Sequence, residues 1–208
     1  MKILVFDLET TGLERSSRIT EFAGCMYDDS GMHIKSEAEI TNPEISIPNN
    51  ITQITGITNK MAKAGKSWPS YARDVIMPLL EEADVYAGHN IISFDLPILR
   101  YNLKRVGLSL PDRLKIDTLQ VARRFLTIKK KSLGYVCGFY GISLDGAHRA
   151  LNDAKANADM MFKMSEDLEI PISDMAHGRA VTLGKYHQGK DPFEALIGGL
   201  SVNFYRHE

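Results

Sequence analysis

Cysteine is scarce: only Cys25 and Cys137 occur in 208 residues, far apart and each within an apolar stretch. That excludes a disulfide framework and a zinc site built on closely spaced cysteines. Long hydrophobic runs are missing as well. Met1-Lys2 leads into Ile3-Leu4-Val5-Phe6, which Asp7 interrupts too soon for a secretory leader or a membrane span. Nor is there an excess of either charge, since 25 Lys and Arg face 26 Asp and Glu for a net −1. This falls short of the strongly basic balance that marks many nucleic-acid-binding domains. Internal repeats and low-complexity tracts are absent. What remains is a chain expected in a reducing cytoplasm, off the membrane, whose 44% hydrophobic content suffices for a sizeable core. Its length suits one ordinary domain with a small extension.

Hydrophobic periodicity orders the chain into a mixed sheet covered by helices. Residues 2–8 read as a buried central strand. Residues 18–28 and 33–42 read as two more, joined by the Asp28-Asp29-Ser30-Gly31 turn into an antiparallel hairpin. From Ser67 the spacing predicts a helix with Tyr71, Val75, Ile76, Leu79 and Leu80 on one face. A short strand follows at Asp84–Gly88, then a helix carrying Leu96, Leu99, Leu103 and Val106 that Gly107 stops. A last strand near Leu114–Asp117 precedes a helix through Val121 and Phe125, and Ser132 is expected to cap another. The final long helix, from about Arg149, is expected to bury Leu151, Ala154, Ala158, Met161 and Leu168.

Three segments carry chemistry on that scaffold: 5–13 (VFDLETTGL), 87–99 (AGHNIISFDLPIL) and 147–159 (AHRALNDAKANAD). Asp7 and Glu9, two residues apart on a strand, project to one face. Close carboxylates repel and invite a cation, although an isolated pair also reads as an acidic edge before the turn at Thr10-Thr11-Gly12. Asp95 begins a helix for which Ser93 is a plausible N-cap and Pro97 fits the first turn. Taken singly, it reads equally as a charge complementing the helix dipole. His89, Asn90 and Phe94 surround it at the carboxyl edge of a strand, where α/β sheets place their ligands. His148 and Asp153 would stand about 140° apart on one continuous helix. They face one cleft only if His148 lies in the preceding loop, where an imidazole can exchange a proton near neutral pH. Arg123, Arg124, Lys129, Lys130 and Lys131, with Arg100, Lys104 and Arg105, offer cationic patches flanking the acidic centre, or simply solvated surface.

Taken together in this order, Asp7, Glu9, Asp95, His148 and Asp153 make the chain resemble the DEDDh branch of the 3′–5′ exonucleases, which includes the epsilon subunit of DNA polymerase III. Residues 51–58 (ITQITGIT) and 116–126 (IDTLQVARRFL) extend the resemblance, which covers roughly residues 2–165. It implies an α/β, ribonuclease-H-like exonuclease fold with a five-stranded mixed sheet flanked by helices. It also implies two Mg²⁺ or Mn²⁺ ions, about 3.5–4 Å apart in such sites, with Asp7, Glu9, Asp95 and Asp153 as ligands and His148 taking the proton from the attacking water. Asp7 would bridge the ions, Glu9 and Asp153 would complete the nucleophile-side site, and Asp95 would serve the other. Substrate contacts implied by similarity are Thr10, Thr11, Gly12, Leu13, His89, Asn90 and Phe94, with core packing the alternative for Leu13 and Phe94.

The implied activity releases nucleoside 5′-monophosphates from DNA 3′ ends. Trimming of RNA, or service as a proofreading subunit in a polymerase or repair assembly, are the alternatives. The expected partner is single-stranded DNA or a DNA 3′ end. Residues 1–172 are expected to form the exonuclease domain and 173–208 a short extension. There Gly184-Lys185-Tyr186 and Gly189-Lys190 resemble, with one extra residue, an element of exonuclease X-like proteins.

Overall fold

A computed structural model describes residues 1–144 and 149–176. Three strands come first: β1 (Lys2–Thr10), β2 (Ile19–Asp28) and β3 (His33–Asn42). Two short helices follow, α1 (Asn49–Thr55) and α2 (Asn59–Ala64), then a two-residue strand β4 (Lys66–Ser67). Next come α3 (Trp68–Tyr71), a π-helical turn (Ala72–Ile76) and α4 (Met77–Glu82). The widened turn has a local cause. Pro78 has no N–H to donate and its ring clashes with the carbonyl four residues back, so the preceding turn opens. The chain continues through β5 (Val85–Gly88), α5 (Asp95–Lys104), β6 (Leu114–Asp117) and α6 (Thr118–Phe125). It ends its described part with α7 (Leu133–Phe139), α8 (Ala150–Asp167) and α9 (Ile172–Ala176).

The sheet order is β4-β3-β2-β1-β5-β6. β1 pairs antiparallel with β2 and parallel with β5, and β5 pairs parallel with β6. The carboxyl ends of β1, β5 and β6 therefore meet at one edge. The expected five strands are present; the sixth, β4, escapes any period-2 reading because it is two residues long. Residues 51–58 run through most of α1 and past its C-cap, Gly56, which has φ +72°.

Each sheet face carries its own core. Ile3, Val5, Cys25, Val85, Ala87 and Ile116 pack with Ala154, Ala158 and Met161 of α8. Leu4, Phe6, Leu8, Phe22, Met26 and Tyr86 pack on the opposite face with α4 and α5. Alternation along β1 thus sends Asp7 and Glu9 to the α8 side, in line with Ile3 and Val5. Ala150, Ala154 and Ala158 are fully buried, and their small side chains let α8 approach the sheet closely beside those carboxylates. Leu151 is only half-buried, while Leu168 is buried as expected. α9 adds Ile172, Met175 and Ala176 to the first core, so the boundary expected after residue 172 falls within a packed helix. Lys185, Tyr186 and Lys190 lie outside the described residues. Both cysteines are buried and free, and among the described residues no helix is long and apolar enough to cross a membrane.

Candidate metal centre

β1 and β2 pair in regular register down to Glu9 opposite Glu21, where a bulge shifts Thr10 opposite Ile19. Such bulges re-aim side chains next to functional sites. Immediately beyond, Thr10 Oγ1 donates to the Gly12 carbonyl at 2.6 Å, and Thr11 Oγ1 accepts from Arg18 N at 3.0 Å. Asn102 Nδ2 donates to the Ser17 carbonyl at 2.8 Å and ties the base of this turn to α5. The turn is held from both sides.

On the α8 face, Asp7, Glu9 and Asp153 each offer a carboxylate oxygen, and these oxygens lie within 4.8 Å of one another. Three carboxylates so placed cannot all ionise freely. Burial, then the charges of Asp95, Glu9, Asp153 and Glu21, push Asp7 well above the ordinary carboxylate range. Burial, then Glu21, Asp153 and Asp95, raise Glu9 to about 8 against an opposing pull from Arg149. Asp95 begins α5, is only 3% exposed, and is raised by burial to about 8, although the backbone N–H groups of Asp95 itself and Leu8 pull it down. Its Oδ1 is buried without a hydrogen-bond partner. Hard oxygen donors in this number, one of them buried and unsatisfied, fit a hard divalent cation of the magnesium or manganese kind.

The positions of the remaining expected residues vary. His148 lies outside the described residues. His89 is half-buried, its Nδ1 bonding Thr118 Oγ1 at 3.0 Å and its Nε2 the Lys131 carbonyl at 2.8 Å. Burial, the largest influence, lowers its pKa. Both ring nitrogens are thus bonded within the protein, so His89 fixes the loop at the end of β5. Asn90 is in the left-handed region, φ +68°. Its backbone N donates to Asp117 Oδ1 at 3.1 Å, and its carbonyl accepts from Phe94 N at 3.0 Å. Phe94 packs against the second core, whereas Leu13 is 81% exposed and does not pack in either core. Gly88 has a steric reason to be glycine, because a Cβ there would stand 2.9 Å from Ile91 Cβ and 3.0 Å from the Phe6 carbonyl. The cap expected at Ser93 is not formed: the N-cap position is Phe94, and Asp95 is the first helical residue. Ser132 occupies the N-cap position of α7 without a side-chain bond.

Two supports were not anticipated. Glu21, 2% exposed, accepts from Arg149 Nη2 at 2.8 Å and Nε at 3.2 Å, and its other oxygen accepts from Ala150 N at 3.2 Å. It therefore caps and anchors the first turn of α8, which carries Asp153. A lone glutamate in the mostly apolar β2, at the parity of Cys25, was the available signal. Asp117 accepts from the backbone N–H groups of Asn90, Ile92, Leu119 and Gln120, at 3.1, 3.2, 3.0 and 3.3 Å. One carboxylate thereby joins the end of β6 to the loop that delivers Asp95.

Comparison with known proteins gives the family of the chain. The family model RNase_T, described as an exonuclease, matches residues 4–161. The chain is 32% identical over 176 residues to the PolC-type DNA polymerase III of Clostridium perfringens, covering 80% of this chain and 12% of the relative. It is 30% identical over 170 residues to the 3′–5′ exonuclease DinG of Bacillus subtilis, covering 80% of this chain and 18% of the relative. The chain thus spans less than a fifth of either relative's length. Among solved structures, exonuclease X in complex with 5′-overhanging duplex DNA superposes with a TM-score of 0.66 at 25% identity, covering 84% of this chain and 97% of that one.

Proposed function

Since the chain belongs to the exonuclease family, we propose that it is a metal-dependent 3′–5′ exonuclease acting on DNA 3′ ends in the cytoplasm, releasing nucleoside 5′-monophosphates. The observation that carries this reading is the convergence of Asp7, Glu9 and Asp153, with the unsatisfied Oδ1 of buried Asp95 nearby. These four carboxylates would hold two Mg²⁺ or Mn²⁺ ions. When bound, the ions supply a hydroxide at neutral pH and charge stabilisation for the phosphate.

The chain's own residues do the rest. Asp7, on β1, feels the charges of Asp95, Glu9 and Asp153 together and would be a ligand in common with each of them. His148, one residue before the anchored Arg149, would accept the proton of the attacking water. The exposed Leu13, presented by the turn that Thr10 and Thr11 hold, would meet the terminal base as an apolar wedge. Phe94, at the mouth of α5, would contact the terminal sugar or base, and Asn90 would shape the loop beneath it. End recognition by such contacts needs no sequence reading. The relationship to a PolC-type DNA polymerase III and the likeness to exonuclease X in complex with duplex DNA favour DNA over RNA as substrate, in proofreading or repair.

The test is digestion of 5′-labelled single-stranded DNA and RNA with Mg²⁺, with Asp7→Ala protein as the contamination control. The expected result is a DNA ladder shortening from the 3′ end and absent in the variant. Preferential RNA trimming would reassign the substrate, and cleavage surviving in Asp7→Ala would overturn the site.

A further inference from the structure

From Thr118 to Leu144 the chain has no acidic residue, yet it contains Arg123, Arg124, Lys129, Lys130 and Lys131. In a chain of net charge −1 this is a marked local excess. Arg123, Arg124, Lys129 and Lys130 are exposed, the first two in the last turn of α6 and the others between α6 and α7. Among the described residues none of the five forms an ion pair, whereas Lys2, Arg18, Lys35, Arg105, Lys115 and Arg149 all do. The carbonyl of Lys131 bonds His89 Nε2 at the carboxyl end of β5. The cationic segment is therefore pinned to the sheet edge that carries Asp7 and Glu9.

α7 adds the second component. Val136 and Cys137 are buried in the core shared with α8, while Tyr135 and Phe139 are 45% and 54% exposed. Four residues apart, they lie on one face of the helix. Dipole complementarity at the end of α6 accounts for Arg123 and Arg124, but not for Lys129 and Lys130 or for two rings left in water. Exposed cations without an ion-pair partner, followed within a few residues by exposed rings, are the combination that holds a flexible strand, with phosphates on the cations and bases on the rings.

We propose that the surface formed by Arg123, Arg124, Lys129, Lys130, Tyr135 and Phe139 binds the single-stranded DNA leading to the 3′ end. The polarity of that path rests on the exonuclease reading; the binding surface does not. A Lys129→Ala/Lys130→Ala protein and a Tyr135→Ala/Phe139→Ala protein change only exposed side chains. On an oligonucleotide of about 20 nucleotides, longer than a single groove covers, each is expected to raise KM roughly tenfold with kcat unchanged, as the loss of a few strand contacts requires. A trinucleotide should show no change in KM. For the lysine variant, the slope of log KM against log salt should fall by about 0.7 per cation removed.

Anisotropy of a 5′-fluorescein oligothymidine without divalent metal measures binding independently of turnover. Wild-type cleavage with unaltered KM, salt slope and anisotropy in both variants would overturn the surface and leave the exonuclease reading standing. Weakened binding in the variants of a wild-type protein that cleaves nothing would leave the surface standing and overturn the exonuclease reading. An equal loss on long and short substrates would also overturn the proposed surface, because it would place these residues at the terminus.

Discussion

Glu21→Ala is the substitution whose consequences are most fully determined. The side chain is buried and takes three donors, two from Arg149 and one from Ala150 N. Removing one partner of a fully buried ion pair costs about 3–5 kcal/mol. Arg149, however, is half exposed on its side chain, so its guanidinium can turn to water and most of that penalty disappears. The lost cap on Ala150 costs about 1 kcal/mol, and the lost charge-assisted bonds about as much again after solvation. Glu21 also repels Glu9 and Asp7, so its removal returns part of this in the metal-free protein. The net expectation is a loss of about 2 kcal/mol, or a Tm lower by roughly 4–8 °C in a domain of this size.

The effect on turnover is expected to be larger than the effect on stability. The first turn of α8 carries Asp153, and displacement of a positioned group by about 1 Å can cost on the order of a hundredfold in rate. Assayed well below the melting temperature, Glu21→Ala should lose at least about tenfold in kcat, with KM within a few-fold. Glu21→Gln, which keeps an acceptor oxygen, should fall between it and wild type. A Glu21→Ala protein with wild-type kcat and Tm would refute the reasoning that the β2 carboxylate positions α8.

Further outcomes follow from the same network. Asp117→Ala leaves four backbone donors at the base of the Asp95 loop unsatisfied, and chemical denaturation should register a loss of about 3 kcal/mol, with Asp117→Asn milder; equal stability of both variants and wild type would count against that role. Metal-free protein should melt higher at about pH 6 than at about pH 9. The sign follows because Glu9 and Asp95 have folded pKa values of about 8, raised above their unfolded ones, so their favourable contribution is lost as pH rises through that value, and burial shifts Asp7 in the same direction. Saturating Mg²⁺ should abolish or reverse that slope, and calorimetric scans with and without chelator would reveal the opposite behaviour if the carboxylates are not strained.

Much of the fold was readable because local pattern and tertiary role coincide. The parity of Asp7 and Glu9 with Ile3 and Val5 sets their face, and the spacing of Ala154, Ala158 and Met161 sets the face of α8. The misses share a different character. β4 gains its two pairings from β3 alone, so no intrinsic signal announces it. The cap expected at Ser93 rested on residue type and is not formed, Ser132 holds its N-cap position without a side-chain bond, and Asp117 caps α6 from the end of a strand. The anchoring of His89 was not legible either, because its partners Thr118 and Lys131 are 29 and 42 residues away. Glu21 and Arg149 are 128 residues apart, a pairing that no single-segment reading can supply.

The most direct measurement is a crystal structure of the protein soaked in Mn²⁺, with anomalous scattering used to locate the ions. Two anomalous peaks ligated by Asp7, Glu9, Asp95 and Asp153, and abolished in Asp7→Ala, are the predicted result. Strong peaks elsewhere with none among these four carboxylates would contradict a metal-dependent nuclease centre at this site.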